Sequence, residues 1–135
     1  MSNTRLTVVV RRDLQLSPGL LAAQVSHISD QWMRQRITSG YEIANAYPPD
    51  ANCKFNQQEM EWMKEPYISV LAVNTREELE RISMDATKEE LKVYTWTDVI
   101  FSEVLKIPMT VLVGLSIGPD DFDRIKLITG NLPLY

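Results

Sequence analysis

Cysteine and histidine are nearly absent from this sequence. Its 135 residues include one cysteine, Cys53, and one histidine, His27. A single cysteine cannot form a disulfide within the chain, so a reducing, cytoplasmic environment is expected. Structural zinc sites need a cluster of Cys and His ligands, and the sequence has none. We therefore predict no metal site.

Long apolar runs and a surplus of positive charge are also missing. No run approaches the roughly 20 apolar residues that a membrane-spanning helix needs, so we expect no membrane segment. The formal net charge is −4 at pH 7, with 14 Lys and Arg residues. Proteins that bind nucleic acids through phosphates usually carry a basic stripe, so this composition argues modestly against a tRNA or DNA partner. Arg11 with Arg12, and Arg34 with Arg36, are the candidate local patches.

The remaining patterns predict alternating strands and helices. Apolar or β-branched runs predict four strands, at 5–12, 66–74, 92–99 (the strand together with its exit, which includes Asp98) and 107–119. Helices are expected from 18 to about 37 and at 58–64, 76–91 and 119–130, with a long loop at 40–57. Because the two types alternate without a repeat or linker, we expect a single α/β domain that covers residues 1–135.

Local signals indicate where these elements begin and how they pack. Ser17 is the predicted N-cap of the first helix, with Pro18 as its first residue. Thr75 and Glu78 have the spacing of a capping box before the third helix. Pro119 and the acids after it are expected in the first turn of the last helix. The second strand is continuously apolar, which favours a central place in the sheet.

The first predicted helix combines a buried stripe with polar residues beside it. Apolar residues recur at spacings of four, three and four: Leu21, Val25, Ile28 and Trp32. Gln24 and His27 lie next to this stripe. His27 is either a partly buried residue that is hydrogen-bonded to a neighbouring strand or loop, or an imidazole that positions water or substrate. Trp62 and Trp96 could pack or stack on bases.

Three segments carry a resemblance to a known family. They read "VVRRDLQLSPGLLAAQVSHI" at 9–28, "EWMKEPYISVLAV" at 61–73 and "IGPDDFDRIKLITGNLPLY" at 117–135. They resemble the first strand and helix, the entry to the second strand, and the carboxy-terminal signature of the type 2 peptidyl-tRNA hydrolases. The resemblance implies a three-layer α/β/α domain with a four-stranded mixed sheet and helices on both faces, often as a homodimer.

The resemblance also implies an activity. Members of this family cleave the ester between peptide and tRNA on peptidyl-tRNAs that leave stalled ribosomes, and they need no obligatory cofactor. We therefore expect a hydrolase that acts in translation, with a tRNA-linked peptide as its partner. The alternative is a non-catalytic binding or regulatory module on the same scaffold.

The family's site uses a lysine near the start of the first helix and an aspartate and a threonine after the third strand. Leu20 occupies the lysine position of this chain, Asp98 matches the aspartate, and Ser102 matches the threonine. Phe101 stands where the family's loop has a basic residue. Asp98 also follows a predicted strand, at the end where α/β sheets bind ligands, and could act on water. The alternative role for Asp98 is to cap segment 99–105.

The resulting site prediction has two parts. The predicted catalytic residues are Asp98, Ser102 and His27. The predicted substrate-binding residues are Gln24, Asp13, Arg11, Arg12 and Leu20. For Asp13, a helix cap or an ion pair with Arg11 or Arg12 is the alternative.

Overall fold

The computed structural model describes residues 2–44, 54–102 and 105–135, and the side chains within these ranges except those of 39–44. Its strands are β1 (Thr4–Arg11), β2 (Ile68–Val73), β3 (Val93–Ser102) and β4 (Ile107–Asp121). Its helices are α1 (Pro18–Ala44), α2 (Gln57–Lys64), α3 (Arg76–Lys88) and α4 (Phe122–Thr129), with a 3₁₀ turn at Arg12–Leu14. Within these ranges, no helix is both long enough and apolar enough to cross a membrane.

The four strands form one mixed sheet in the order β2-β1-β4-β3. β1 is parallel to β2 and antiparallel to β4, and β3 is antiparallel to β4. The prediction of an α/β fold with a four-stranded mixed sheet is confirmed. The predicted central position of β2 is wrong, because β1 and β4 occupy the centre. The outer edge of β2 is instead covered by the end of the chain, where Tyr135 donates to Val70 O (3.0 Å) and Ala72 donates to Pro133 O (3.0 Å).

Helices cover both faces of the sheet, and β1 supplies side chains to both. Val8 and Val10 pack with Ile28 of α1, whereas Val9 packs on the opposite face, against α3 and α4. Successive residues of a strand point to opposite faces, so a run of valines fills two cores at once. Trp32 of α1 packs with Trp62 of α2 in a third cluster on the α1 face.

Several predicted boundaries differ from the structure. α1 continues to Ala44, so the expected end near residue 37 is wrong, and the loop predicted from 40 begins no earlier than 45. One Gly inside a helix costs only about 1 kcal/mol, which does not stop a helix of this length. Residues 45–53, including Cys53, lie outside the described residues.

The start of α4 is also corrected. Pro119 lies within β4, and α4 begins at Phe122 with Asp121 as its N-cap, whose side chain accepts from the Asp123 amide at 2.8 Å. Asp121 can serve both elements because its backbone still pairs with Thr4 of β1. The strand pairing therefore decides where the helix starts, and the proline does not.

The N-cap predictions for the other helices are largely confirmed. Leu21 donates its amide to Ser17 O at 2.8 Å, the first bond of a helix that begins at Pro18. Thr75 caps α3 through the Glu78 amide, at 3.1 Å. The capping box is incomplete, however, because the Glu78 carboxylate accepts from the Asn74 amide at 3.2 Å, one residue before the N-cap.

Gly114 permits the close approach of β1, β4 and α1, which yields a prediction. A Cβ on Gly114 would lie 2.5 Å from Val9 O and 2.9 Å from Ile28 Cδ1. Gly114→Ala should therefore lower the free energy of unfolding by about 1–3 kcal/mol, measured by urea denaturation. Gly19→Ala is the matched control, because nothing lies within 4 Å of the added Cβ. Equal stability of the two variants would contradict this packing.

Candidate active site

The candidate site lies between α1 and one face of β3. Alternate residues of β3 from Trp96 to Ser102 are partly buried on the α1 side, and the residues between them are exposed. Asp98 is therefore an internal residue of β3 and does not follow a strand as predicted. The strand continues because its pairing with β4 extends to Ser102 opposite Ile107. Residues 99–102 are strand, so no helix begins directly after Asp98 for it to cap.

Gln24 connects α1 to β3 through both ends of its amide. Its Nε2 donates to Asp98 Oδ2 at 2.9 Å, and its Oε1 accepts from Trp96 Nε1 at 2.8 Å. Gln24 is only 3% exposed. An indole N–H can donate but never accept, so the amide oxygen must face Trp96 and the amide nitrogen must face Asp98. Trp96 thus sets the orientation in which Gln24 presents a donor to the carboxylate.

Asp98 is held in its ionised form by these contacts. The hydrogen bond from Gln24 is the largest cause that keeps the pKa of Asp98 below its ordinary value, followed by the Val99 amide, which donates to Oδ1 at 2.7 Å. Partial burial opposes this shift, and the nearby His27 adds a small lowering effect. A carboxylate with a lowered pKa takes up a proton poorly but accepts hydrogen bonds well, which suits it to orient a water molecule.

His27 is exposed and stacks on Trp96, with ring centroids 5.1 Å apart and an interplanar angle of 21°. The expectation of a partly buried histidine is therefore wrong. Arg34 approaches the same indole, 5.8 Å from its centroid, and donates to His27 O at 3.2 Å. His27 therefore stands at the solvent-facing side of the Gln24–Asp98 pair.

Leu20 and Ser102 meet in a cavity of about 590 Å³ beside this pair. The cavity, which we call the hairpin cavity, lies between residues 13–20 and the described part of the β3–β4 hairpin. Ser102 Oγ accepts from the Leu105 amide at 3.1 Å. Ser102 lies four positions after Asp98, about 13 Å along β3. These two residues therefore do not converge on one point, and the predicted catalytic residues divide between two neighbouring places.

Asp13 also lines the hairpin cavity, but it is engaged with Arg11. Arg11 Nη2 lies 2.8 Å from Asp13 Oδ2, and Arg11 Nη1 donates to Leu112 O at 3.1 Å. The alternative prediction for Asp13, an ion pair with a neighbouring arginine, is confirmed. Arg12 donates to Leu134 O at 2.9 Å and lies over the Tyr135 ring, so it ties the chain end to the sheet.

The other two arginines lie elsewhere. Arg34 pairs with Asp30 at 2.9 Å, and Arg36 pairs with the buried Glu59 of α2 at 2.9 Å. Arg34 follows the start of α1 by sixteen residues, about 24 Å along the helix axis. The four arginines proposed as local patches therefore do not form one continuous basic surface.

Comparison with known proteins decides the family. Residues 4–135 match the family model described as peptidyl-tRNA hydrolase PTH2. The chain belongs to this family. A peptidyl-tRNA hydrolase of Methanopyrus kandleri is 33% identical over 128 residues, which cover 94% of each chain. One of Nanoarchaeum equitans is 31% identical over 128 residues, which cover 95% of this chain and 96% of that one. The predicted resemblance to the type 2 peptidyl-tRNA hydrolases is confirmed.

The contribution of Trp96 was not predicted from the sequence. Trp96 and Asp98 are two residues apart in a strand, so they share a face, and that spacing is the signal that could have indicated a common partner. The partner, Gln24, lies more than 70 residues away in the sequence. Local sequence patterns do not report a contact between residues so far apart in the chain.

The Gln24 contacts yield a prediction about ionisation. Gln24→Leu removes the main hydrogen bond to the ionised form, so the pKa of Asp98 should rise toward its usual range. Trp96→Phe should cause a smaller rise, because it removes only the donor that orients the Gln24 amide. NMR titration of the Asp98 side-chain carbonyl carbon measures both effects.

Gln31→Leu serves as the control for these variants. Gln31 lies on the same helix and donates to Thr95 O at 3.0 Å instead of to Asp98. The titration of Asp98 should therefore be unchanged. If Gln24→Leu also left it unchanged, the amide would not be what stabilises the carboxylate.

Proposed function

We propose that this protein hydrolyses the ester that joins peptide to tRNA in peptidyl-tRNA, with Asp98 as the residue that orients the attacking water. One observation supports the choice of this site: Gln24, a buried amide oriented by Trp96, donates to the Asp98 carboxylate, and Asp98 is two residues along β3 from Ile100, which lines the hairpin cavity. Membership of the PTH2 family supports the reaction. The relatives described above are named as enzymes, so they do not support the non-catalytic alternative.

In this mechanism the attacking water donates a hydrogen bond to Asp98 and adds to the ester carbonyl. The proton that the water loses passes by way of Asp98 to the ribose oxygen as the tetrahedral intermediate collapses and the C–O bond to the ribose breaks. The products are a peptide with a free carboxylic acid and a tRNA with a free ribose hydroxyl. His27 is exposed beside Asp98 and can donate an N–H to the oxyanion or the leaving oxygen. Each step of this mechanism uses side chains and water, so the proposal includes no cofactor.

The residue at position 20 sets an expectation for the rate. A lysine there, as the family pattern has it, would supply a positive charge near the developing oxyanion, an effect commonly worth a few kcal/mol. Leu20 supplies none. We therefore expect this protein to cleave more slowly than a family member that carries the lysine.

The proposal extends to the setting of the enzyme. The single cysteine and the substrate favour the cytoplasm, and the family resemblance favours a homodimer in which residues 1–135 act as one domain. Sedimentation of the purified protein would test the dimer. If the protein sediments as a monomer at micromolar concentration, the proposed dimer is rejected and the proposed reaction is unaffected.

Asp98→Asn tests the proposed function. The variant should still fold, because an asparagine oxygen can accept from Gln24; a small loss of stability is expected, since the NH2 group that replaces Oδ1 cannot accept from the Val99 amide. Cleavage of N-acetyl-leucyl-tRNA should fall by about 10²-fold or more, since the carboxylate that orients water is lost. The assay follows release of the acyl group at several substrate concentrations.

Asp85→Asn is the control, because Asp85 lies on α3, on the other face of the sheet. It should retain full activity. A drop in melting temperature for Asp98→Asn with activity intact would make Asp98 a structural residue. No cleavage by the unmodified protein would reject the proposed reaction.

A further inference from the structure

The hairpin cavity has an unusual lining for a site that is expected to bind a charged substrate. Of the eleven described residues that line it, seven are apolar, and none is a lysine or an arginine. Its one charged side chain, Asp13, is an acid that already pairs with Arg11. No positive side chain among these residues could pair with a phosphate. An apolar group bound there would instead displace water from aliphatic side chains, which favours binding.

Large apolar side chains are left exposed at this cavity. Leu20 of α1 is 38% exposed and Met109 of β4 is 37% exposed, and Ile100 of β3, which pairs with Met109 in the sheet, lines the same cavity. Apolar side chains that converge from three elements on one concave surface are typical of a ligand-binding site. The cavity volume of about 590 Å³ is also within the range of small-ligand sites.

The hairpin cavity adjoins the Gln24–Asp98 pair on both α1 and β3. Leu20 lies one helical turn before Gln24, on the same side of α1. Ile100 lies two residues after Asp98 on the same face of β3, about 6.6 Å along the strand. A group bound in the cavity can therefore be joined by a few bonds to a carbonyl that is held at Asp98.

We infer that the hairpin cavity binds the side chain of the amino acid esterified to the tRNA, and that the protein prefers substrates in which this side chain is large and apolar. This inference rests on the proposed function. In peptidyl-tRNA, that side chain is the variable group nearest to the ester, since the ribose and phosphates lie on the other side of the scissile bond. Leu20, Ile100 and Met109 then bind substrate, and Asp98 with His27 acts on the ester.

Cleavage of matched substrates tests the inference. One tRNA body is charged with N-acetylated leucine, phenylalanine, methionine, serine or aspartate, so that only the side chain varies. The kcat/KM for the three apolar residues should exceed that for serine and aspartate at least tenfold, since even one methylene in an apolar pocket changes kcat/KM by about tenfold or more. Cleavage of all five at equal rates would overturn the inference. No cleavage of any would instead reject the proposed function.

Variants connect this preference to the cavity. Leu20→Asn and Met109→Thr should each reduce the preference several-fold, and the use of two sites on different elements guards against a folding defect in either one. Leu127→Asn is the matched control, because Leu127 is 74% exposed on α4 and lies outside the cavity. It should retain the full preference. An undiminished preference in both cavity variants would place the specificity elsewhere and overturn the inference.

A binding measurement tests the cavity without any need for activity. In protein labelled with ¹³C at the methionine methyl groups, N-acetylphenylalaninamide should shift the signal of Met109, assigned through Met109→Thr. The signal of Met84, which is exposed on α3 outside the cavity, should not move. N-acetylserinamide should have little effect. A shift of Met109 by adenosine monophosphate and not by N-acetylphenylalaninamide would assign the cavity to the terminal base and overturn the inference.

Discussion

Gln24 is buried between α1 and β3, where an amide is costly unless both of its ends are hydrogen-bonded. A buried polar group without a partner costs about 1–3 kcal/mol, so the position of α1 against the sheet is tied to the two partners of Gln24. Trp96 satisfies the oxygen and Asp98 satisfies the nitrogen. The same contacts that dock the helix therefore also orient and ionise the carboxylate, and a loss of either partner affects both stability and site.

The core of the protein follows from periodicity, and for that reason much of the fold is visible in the sequence. The spacing of Leu21, Val25, Ile28 and Trp32 predicts a buried helix face, and Ile28 and Trp32 are fully buried. Valines at successive positions of β1 predict a strand, but they do not reveal how the strands are ordered. The edge position of β2 depends on the end of the chain that folds back along it, and no local pattern reports that contact.

The site was less predictable because the length of β3 determines it. Family resemblance indicated a loop after Asp98, whereas Val99, Ile100 and Phe101 have strand-forming side chains and continue the ladder to Ser102. The extended backbone separates Ser102 from Asp98. Ser102 therefore lies in the hairpin cavity, whereas Asp98 lies at its contact with Gln24, and the two do not form one catalytic set. Strand propensity in that segment, weighed against the resemblance, was the signal that could have indicated this arrangement.

The distribution of charge bears on how such a protein could select its substrate. Affinity for tRNA that depends on phosphates rises with the number of cations that contact them and falls steeply with salt. Here the four candidate arginines are engaged with protein groups and lie at separate places on the surface. Salt does not screen apolar contacts. Apolar contacts to the peptide part of the substrate can also distinguish one acyl group from another, which contacts to phosphates cannot do. Under the proposed function, Leu20 in place of the family's lysine therefore favours recognition of the acyl group, which differs among peptidyl-tRNAs, over recognition of the tRNA backbone, which all tRNAs share.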